Sequence, residues 1–244
     1  MKLIITTKNV KMKIIQYDDY DNIIVEFQDE YKAQVHTGYH HFKHGDVTNP
    51  YYKNVCNIGF IGVGQYSYVT HKEIYVIWER MLQRCYDEKY QEKHPTYTGC
   101  EVCKEWHNFQ NFAQWYEENY YEIHGEKMCL DKDILHKGNK IYSSNNCIIV
   151  PNRINMLFVK SNKSRGDYPI GCSYNKEKNK IEVNCQRYPY KRKFLGYYDT
   201  IEMAFCHYKQ FKENYIKQVA DEYKDLIPQE LYNAMYNYEV EITD

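Results

Sequence analysis

No run of 18 apolar residues occurs anywhere in the 244-residue chain, so no segment is long and apolar enough for a membrane-spanning helix. A secretory leader is missing too. MKLIITTKNV at the start is too short and too polar for the apolar region of a signal peptide. The expectation is a soluble, intracellular protein without a membrane partner. Net charge is close to nil, at −1, and by itself names no partner. The one glycine-rich run, GFIGVG from Gly59 to Gly64, lacks the Gly-Lys-Ser/Thr of a phosphate loop. No internal repeat or low-complexity stretch is present. The nine cysteines are an odd number and lie outside any secretory context, which argues against a disulfide framework. Cys100 and Cys103 form one CxxC, but Cys129 and Cys147 do not form the second, so structural zinc is not expected.

What is present supports a folded chain. Hydrophobic residues make up 43% of the sequence, although 28 tyrosines contribute to that figure and are amphipathic. Charge is unevenly distributed. Residues 160–219 carry 13 basic and 6 acidic groups, whereas residues 220–244 carry 1 and 7. A basic segment followed by an acidic one fits a polyanion-binding module with a separate end piece.

Periodicity divides the chain further. In residues 11–36, Ile14 and Ile15, then Ile23, Val25 and Phe27, then Val35 mark three short strands, with DDYDN as a turn. This spacing predicts a small N-terminal β domain of the SH3-like kind over residues 1–64, with GFIGVGQ as a flexible joint. HKEIYVIWERMLQRCY (71–86) and KEWHNFQNFAQWYEENYY (104–121) read as helices with aromatic buried stripes. YPIGCSY, KIEVNCQR and RKFLGYY read as three strands, with NKEKN and YPYK as turns. A helix capped by Asp199 or Thr200 follows, and Pro228 opens a last helix from Gln229 to about Tyr238. The His-rich YHHFKH (39–44) is read as a solvated turn.

Residues 129–158, CLDKDILHKGNKIYSSNNCIIVPNRINMLF, carry the chemistry. An apolar approach ends at Asp131, a loop with Gly138 and Asn139 follows, and NCIIV leads into a helix starting near Pro151. Asn155 lies on that helix. A strand–loop–strand–helix site for phosphodiester cleavage needs a base, plus a carboxylate and an amide or imidazole holding one divalent ion. This segment resembles an HNH, or His-Me finger, nuclease core. The resemblance implies Asp131 and Asn155 as ligands of Mg²⁺ or Mn²⁺ and Asn146 as the amide that orients the loop. Lys132 stands where that pattern has its base histidine. An ammonium does not activate water, and His136 in the loop is the alternative base.

The surrounding IWERMLQRCYDEKY, PTYTGCEVCKEWHNFQNFAQW, LDKDIL and YSSNNCIIVPNRIN resemble phage-encoded HNH-like and homing-endonuclease-like proteins. Residues 169–213 resemble the DNA-binding domain of plant ethylene-response factors. Strand alternation turns Ile181, Val183 and Cys185 towards the helix and Glu182, Asn184 and Gln186 outwards. Amides are adenine readers in a major groove. Lys176, Lys178, Lys180, Arg187, Lys191, Arg192 and Lys193 surround them and suit phosphates.

The expectation is therefore an α+β chain in four parts: the β domain (1–64), an HNH-like ββα core framed by aromatic helices (65–162), a three-stranded sheet plus helix (163–220), and an acidic helical tail (221–244). The expected function is double-stranded DNA binding, with metal-dependent cleavage if the site is intact, in the cytoplasm of a host cell. The alternative is an interaction protein that binds and blocks a host or defence protein.

Overall fold

The computed structural model describes residues 3–6, 10–159, 167–188 and 191–244. The expected boundary at 162/163, and Pro189 and Tyr190 of the expected YPYK turn, lie outside the described residues. The described elements are, in chain order, β1 (Leu3–Ile5), β2 (Lys11–Tyr17), β3 (Ile23–Phe27), β4 (Gln34–Thr37), α1 (Tyr39–His44), α2 (Lys72–Tyr86), α3 (Glu88–Lys93), β5 (Glu101–Val102), α4 (Phe109–Asn119), β6 (Met128–Asp131), β7 (Ile141–Tyr142), β8 (Ile148–Pro151), α5 (Asn152–Asn155), β9 (Cys172–Asn175), β10 (Lys180–Arg187), β11 (Lys191–Tyr198), α6 (Ile201–Glu222) and α7 (Gln229–Tyr236). The class is α+β, with small separate sheets. No helix among the described residues is long and apolar enough to cross a membrane. The chain packs as two compact units, Met1–Glu118 with Lys140–Ser143, and Asn119–Asn139 with Ser144–Asp244.

The first unit opens with an antiparallel meander, β1-β2-β3-β4. Ile23, Val25 and Phe27 alternate inwards along β3 and pack with Met12, Phe42 and Val47. The DDYDN turn is closed by the Asp19 carboxylate, which accepts from the Asp21 backbone and the Asn22 amide. β1 was not expected from sequence. Both its outward residues, Leu3 and Ile5, are exposed, so it carries no alternating pattern against polar neighbours.

The aromatic helices follow in the same unit. Trp78, Met81, Leu82 and Cys85 form the buried stripe of α2, and the Trp78 indole donates to the Trp106 carbonyl at 2.7 Å. The helix expected over 104–121 is interrupted. Lys104–His107 is a 3₁₀ turn, Asn108 is extended, and α4 begins at Phe109. The Asn108 side chain accepts from the Gln110 backbone, and the competition between such a side chain and the helix favours a cap over continuation.

The glycine run is not a flexible joint. Phe60 is buried and exchanges backbone hydrogen bonds with His107 and Phe109. A Cβ on Gly59 would stand 2.4 Å from Leu82 Cδ1, and one on Gly62 would stand 2.2 Å from Asn108 Oδ1. The glycines are there because helix side chains lie directly against the backbone.

In the second unit β6 pairs antiparallel with β8, Asp131 opposite Ile148, and the short α5 lies against both strands. The three-stranded sheet has the order β11-β10-β9 and packs on α6. Thr200 caps α6 by accepting from the Met203 backbone. This helix serves two cores. Ala204 and Tyr208 pack under the sheet with Ile181, Val183 and Cys185. Tyr215, Ile216, Val219 and Ala220 pack with Ile148, Val150, Ile154 and Leu157 of the strand–helix core. Leu231 and Met235 of α7 are fully buried in that second cluster. The acidic residues of 221–244 thus decorate a packed element.

Candidate functional site

Asp131 ends β6, and its Oδ1 accepts from the backbone of Asp133 and of Ile134, both at 2.8 Å. These two bonds start the loop. Burial, seconded by the nearby Asp133 charge, pushes the Asp131 carboxyl up to about 6, against the backbone hydrogen bonds and the Lys132 charge, which pull it down.

The loop is tied shut by Lys132 and two asparagines. Lys132 is 8% exposed. Its ammonium donates to the Asn139 carbonyl at 2.8 Å and to Asp133 Oδ2 at 3.0 Å. The Asn139 amide returns a bond to the Lys132 carbonyl at 2.6 Å, and the Asn146 amide donates to Asn139 Oδ1 at 3.2 Å. Lys132, Asn139 and Asn146 form one continuous network, and Asn146 holds the loop through Asn139. Sequence reading placed Asn139 in the loop but gave it no role. The reciprocal pairing with Lys132, seven residues away, has no local sequence signal.

The other expected members make no hydrogen bond to this network among the described residues. His136 is exposed, and its imidazole makes no hydrogen bond among the described residues. Asn155 ends α5 half-buried, and its side-chain amide makes no hydrogen bond among the described residues. Asp131 Oδ2 and the Asn155 amide oxygen are left without a hydrogen bond among the described residues. No group of three or more His, Cys, Asp or Glu that could hold a metal is found among the described residues. Mg²⁺ is ordinarily held by one or two carboxylates together with substrate phosphates. The Lys132 charge is already matched by Asp133, which lowers its competition with a cation.

The second candidate surface is the outward face of the three-stranded sheet. Glu182 faces Tyr197 across β10 and β11, Asn184 faces Phe194, and Gln186 faces Arg192. A bulge between Val183 and Asn184 sets this register, with Gly196 at φ 133. One expectation is corrected here. Asn184 lies on the expected side, beside Glu182, but is buried there, 9% exposed. Its amide donates to Glu182 Oε1 at 2.7 Å, and Asn175 donates to Glu182 Oε2 at 2.8 Å. Those hydrogen bonds hold the half-buried Glu182 carboxyl below the usual range.

Gln186 and Arg192 remain exposed on the face. Lys176 and Lys178 are exposed in the β9–β10 turn, and Lys191 and Lys193 are exposed on β11. Lys193 is opposite Cys185, so it alternates to the other side of the strand from Arg192. Lys180 pairs with Asp199 at 3.1 Å, and the Arg187 guanidinium lies over the Tyr215 ring at 4.9 Å. Sequence reading missed two residues of this face. Phe194 and Tyr197 are exposed and meet edge to face, with centroids 5.0 Å apart. Their spacing of three breaks strand alternation, and only the bulge brings them together.

Comparison with protein-family models, with curated proteins and with solved structures finds no match to the chain.

Proposed function

We propose that the chain is a double-stranded DNA-binding protein of the phage-encoded HNH-like kind, binding through the outward face of its three-stranded sheet. In this reading residues 128–155 are an HNH-like core and the N-terminal meander is SH3-like. The observation that carries the proposal is the composition of the sheet face. Gln186 and Arg192 offer groove-edge hydrogen bonds, Phe194 and Tyr197 offer apolar contact to bases or sugars, and the β9–β10 turn adds the exposed Lys176 and Lys178. A β-ribbon or sheet can enter a DNA groove.

The test is affinity against salt concentration. Each phosphate contact contributes about 0.9 to the slope of log K against log salt. Changing Lys176, Lys178 and Arg192 together to Ala should lower the slope by about 2–3 and weaken all sequences. An unchanged slope rejects the sheet as the DNA surface. Point changes are the usable form of this test, because a deletion through residue 219 also removes Tyr215, Ile216 and Val219 from the second core.

A nuclease role is the second reading, favoured by the Lys132–Asn139–Asn146 loop beside Asp131. Asp131 and Asn155 would hold the metal, which would stabilise charge on the scissile phosphate. With Lys132 tied to two acceptors, we expect slow or no nicking of supercoiled plasmid in Mg²⁺ or Mn²⁺. Brisk nicking that is lost in an Asp131→Ala, Asn155→Ala double variant would overturn that expectation.

A further inference from the structure

The His-rich segment at 39–44 forms a helix, α1, where the sequence suggested only a turn. The helix is held against the meander by Phe42, which is fully buried with Met12, Ile23 and Val25. His40 and His44 lie two residues to either side of Phe42 and so turn to the opposite, exposed side of the helix. Gly45, in the left-handed region at φ 74, ends the helix directly after His44. The two imidazoles are neighbours, with ring centroids 4.3 Å apart and planes at 37°. His44 Nδ1 lies 2.8 Å from the His40 carbonyl. A carbonyl only accepts, so Nδ1 carries the proton and, in the neutral ring, the lone pair sits on Nε2. Neither ring nitrogen of His40 makes a hydrogen bond among the described residues.

We propose that His40 and His44 form a binding site for a divalent transition ion of the Ni²⁺, Cu²⁺ or Zn²⁺ type. The donors decide the class. Neutral imidazoles suit these ions, whereas Mg²⁺ and Ca²⁺ call for oxygen. Histidines at i and i+4 project from one face of a helix, which is how two imidazoles reach one ion in helical zinc motifs. Imidazole nitrogens held at about 2.0–2.1 Å from a shared ion are about 3 Å apart, and rings with centroids 4.3 Å apart are already at that scale. The His44 Nδ1–H bond to a backbone carbonyl is the outer contact that metal-bound histidines ordinarily make, and it fixes which nitrogen is left for the ion. His41 stands edge-on to His40 at 5.6 Å, but no group of three or more His, Cys, Asp or Glu that could hold a metal occurs among the described residues. The pair is therefore the donor set among the described residues, and water completes the shell. A bound ion clamps α1, and with it Phe42, onto the meander. The site is independent of the DNA-binding reading and of Asp131 and Asn155.

The experiment titrates the untagged full chain with Ni²⁺ by calorimetry, alone and in a large excess of Mg²⁺. The tightest binding event should survive the Mg²⁺. His40→Ala and His44→Ala should each weaken it about 10²-fold, because each ends chelation by two linked donors. His41→Ala, on the same helix, should leave it unchanged. Uptake by the free cysteines would be the same in every variant, so the differences between variants report the pair. All three histidines are exposed, and circular dichroism melts check that each variant folds. In the parent, paramagnetic Ni²⁺ should broaden first the two ring-proton NMR signals that are missing from His40→Ala and His44→Ala, which decides the matter if a variant does not fold. Binding that survives either of those substitutions, binding lost equally in His41→Ala, displacement by Mg²⁺, or earlier broadening of other histidines overturns the proposal.

Discussion

Removing residues 223–244 should unfold the strand–helix core that carries Asp131. On charge alone this stretch looks like a dispensable acidic end. Its side chains argue otherwise. Leu231 and Met235 are fully buried, Ile227 and Val240 nearly so, and the first three pack in the same cluster as Ile148, Val150 and Ile154. Each such side chain is worth about 1.5–3 kcal/mol on burial, so four contribute about 6–12 kcal/mol as an upper estimate. Deletion also removes the Tyr223 hydroxyl from Glu126 and Asp244 from Lys137. A domain is ordinarily stable by about 5–15 kcal/mol in all, so the loss is of the same order as the whole. Circular dichroism melts and amide exchange at Ile148–Val150 measure the outcome. The milder Leu231→Ala should cost about 2–5 kcal/mol, or about 4–20 °C in Tm. A truncated chain that melts within about 2 °C of the parent and protects the same amides would refute the reasoning.

Asp131→Asn should stabilise the metal-free protein at pH 8 by at most about 3 kcal/mol, from a folded value raised from 3.8 to about 6. A raised acid pKa means that ionisation opposes folding, so the gain is full above about pH 6 and fades as pH falls towards 4; denaturant titrations in chelator at both pH values check this. Gly59→Ala should cost about 1–3 kcal/mol by overpacking against Leu82 and Trp78, read as a lower denaturation midpoint. Asn184→Ala should lower stability by about 0.5–1.5 kcal/mol through the lost bond to Glu182 and leave DNA sequence preference unchanged. A shifted preference in an equally stable variant would return Asn184 to the reading face.

Legibility in the sequence followed the range of the interaction. α2 and β3 were readable because periodic burial is written into neighbouring residues, as in Trp78, Met81 and Cys85 or Ile23, Val25 and Phe27. The strands and helix around Asp131 were read instead from short apolar runs and the proline at the helix start, since β6 and β8 show no alternation. What was not readable depends on side-chain hydrogen bonds and on distant partners. The break at Asn108 comes from a side-chain cap, and the clamped glycine run comes from Leu82 and Asn108 pressing on its backbone. Asn184 keeps the side that alternation assigned it, beside Glu182, but it is buried there. The acidic end was judged by charge, although its apolar residues at 227, 231 and 235 fall at helical spacing and were available to be read.

Lys132, which stands at the base position in the proposed HNH-like reading, holds the loop together, and two substitutions separate that role from proton transfer. Lys132→Met keeps the aliphatic stem and removes the ammonium, leaving the Asn139 carbonyl and Asp133 each one donor short. It should destabilise by about 1–3 kcal/mol, since one of those acceptors is a part-buried loop carbonyl. Lys132→His loses the same two bonds, while the Asn139 amide still reaches the residue-132 carbonyl and Asn146 still reaches Asn139, so the loop keeps its backbone tie. Both variants should therefore lose similar stability. They should differ in cleavage, because an imidazole takes a proton from water near neutral pH and a thioether does not. General-base catalysis contributes about 10²–10⁴-fold, well within the range of a plasmid-nicking gel in Mg²⁺ or Mn²⁺. If Lys132→His folds and nicks no faster than Lys132→Met, the loop lacks nuclease geometry and the second reading fails.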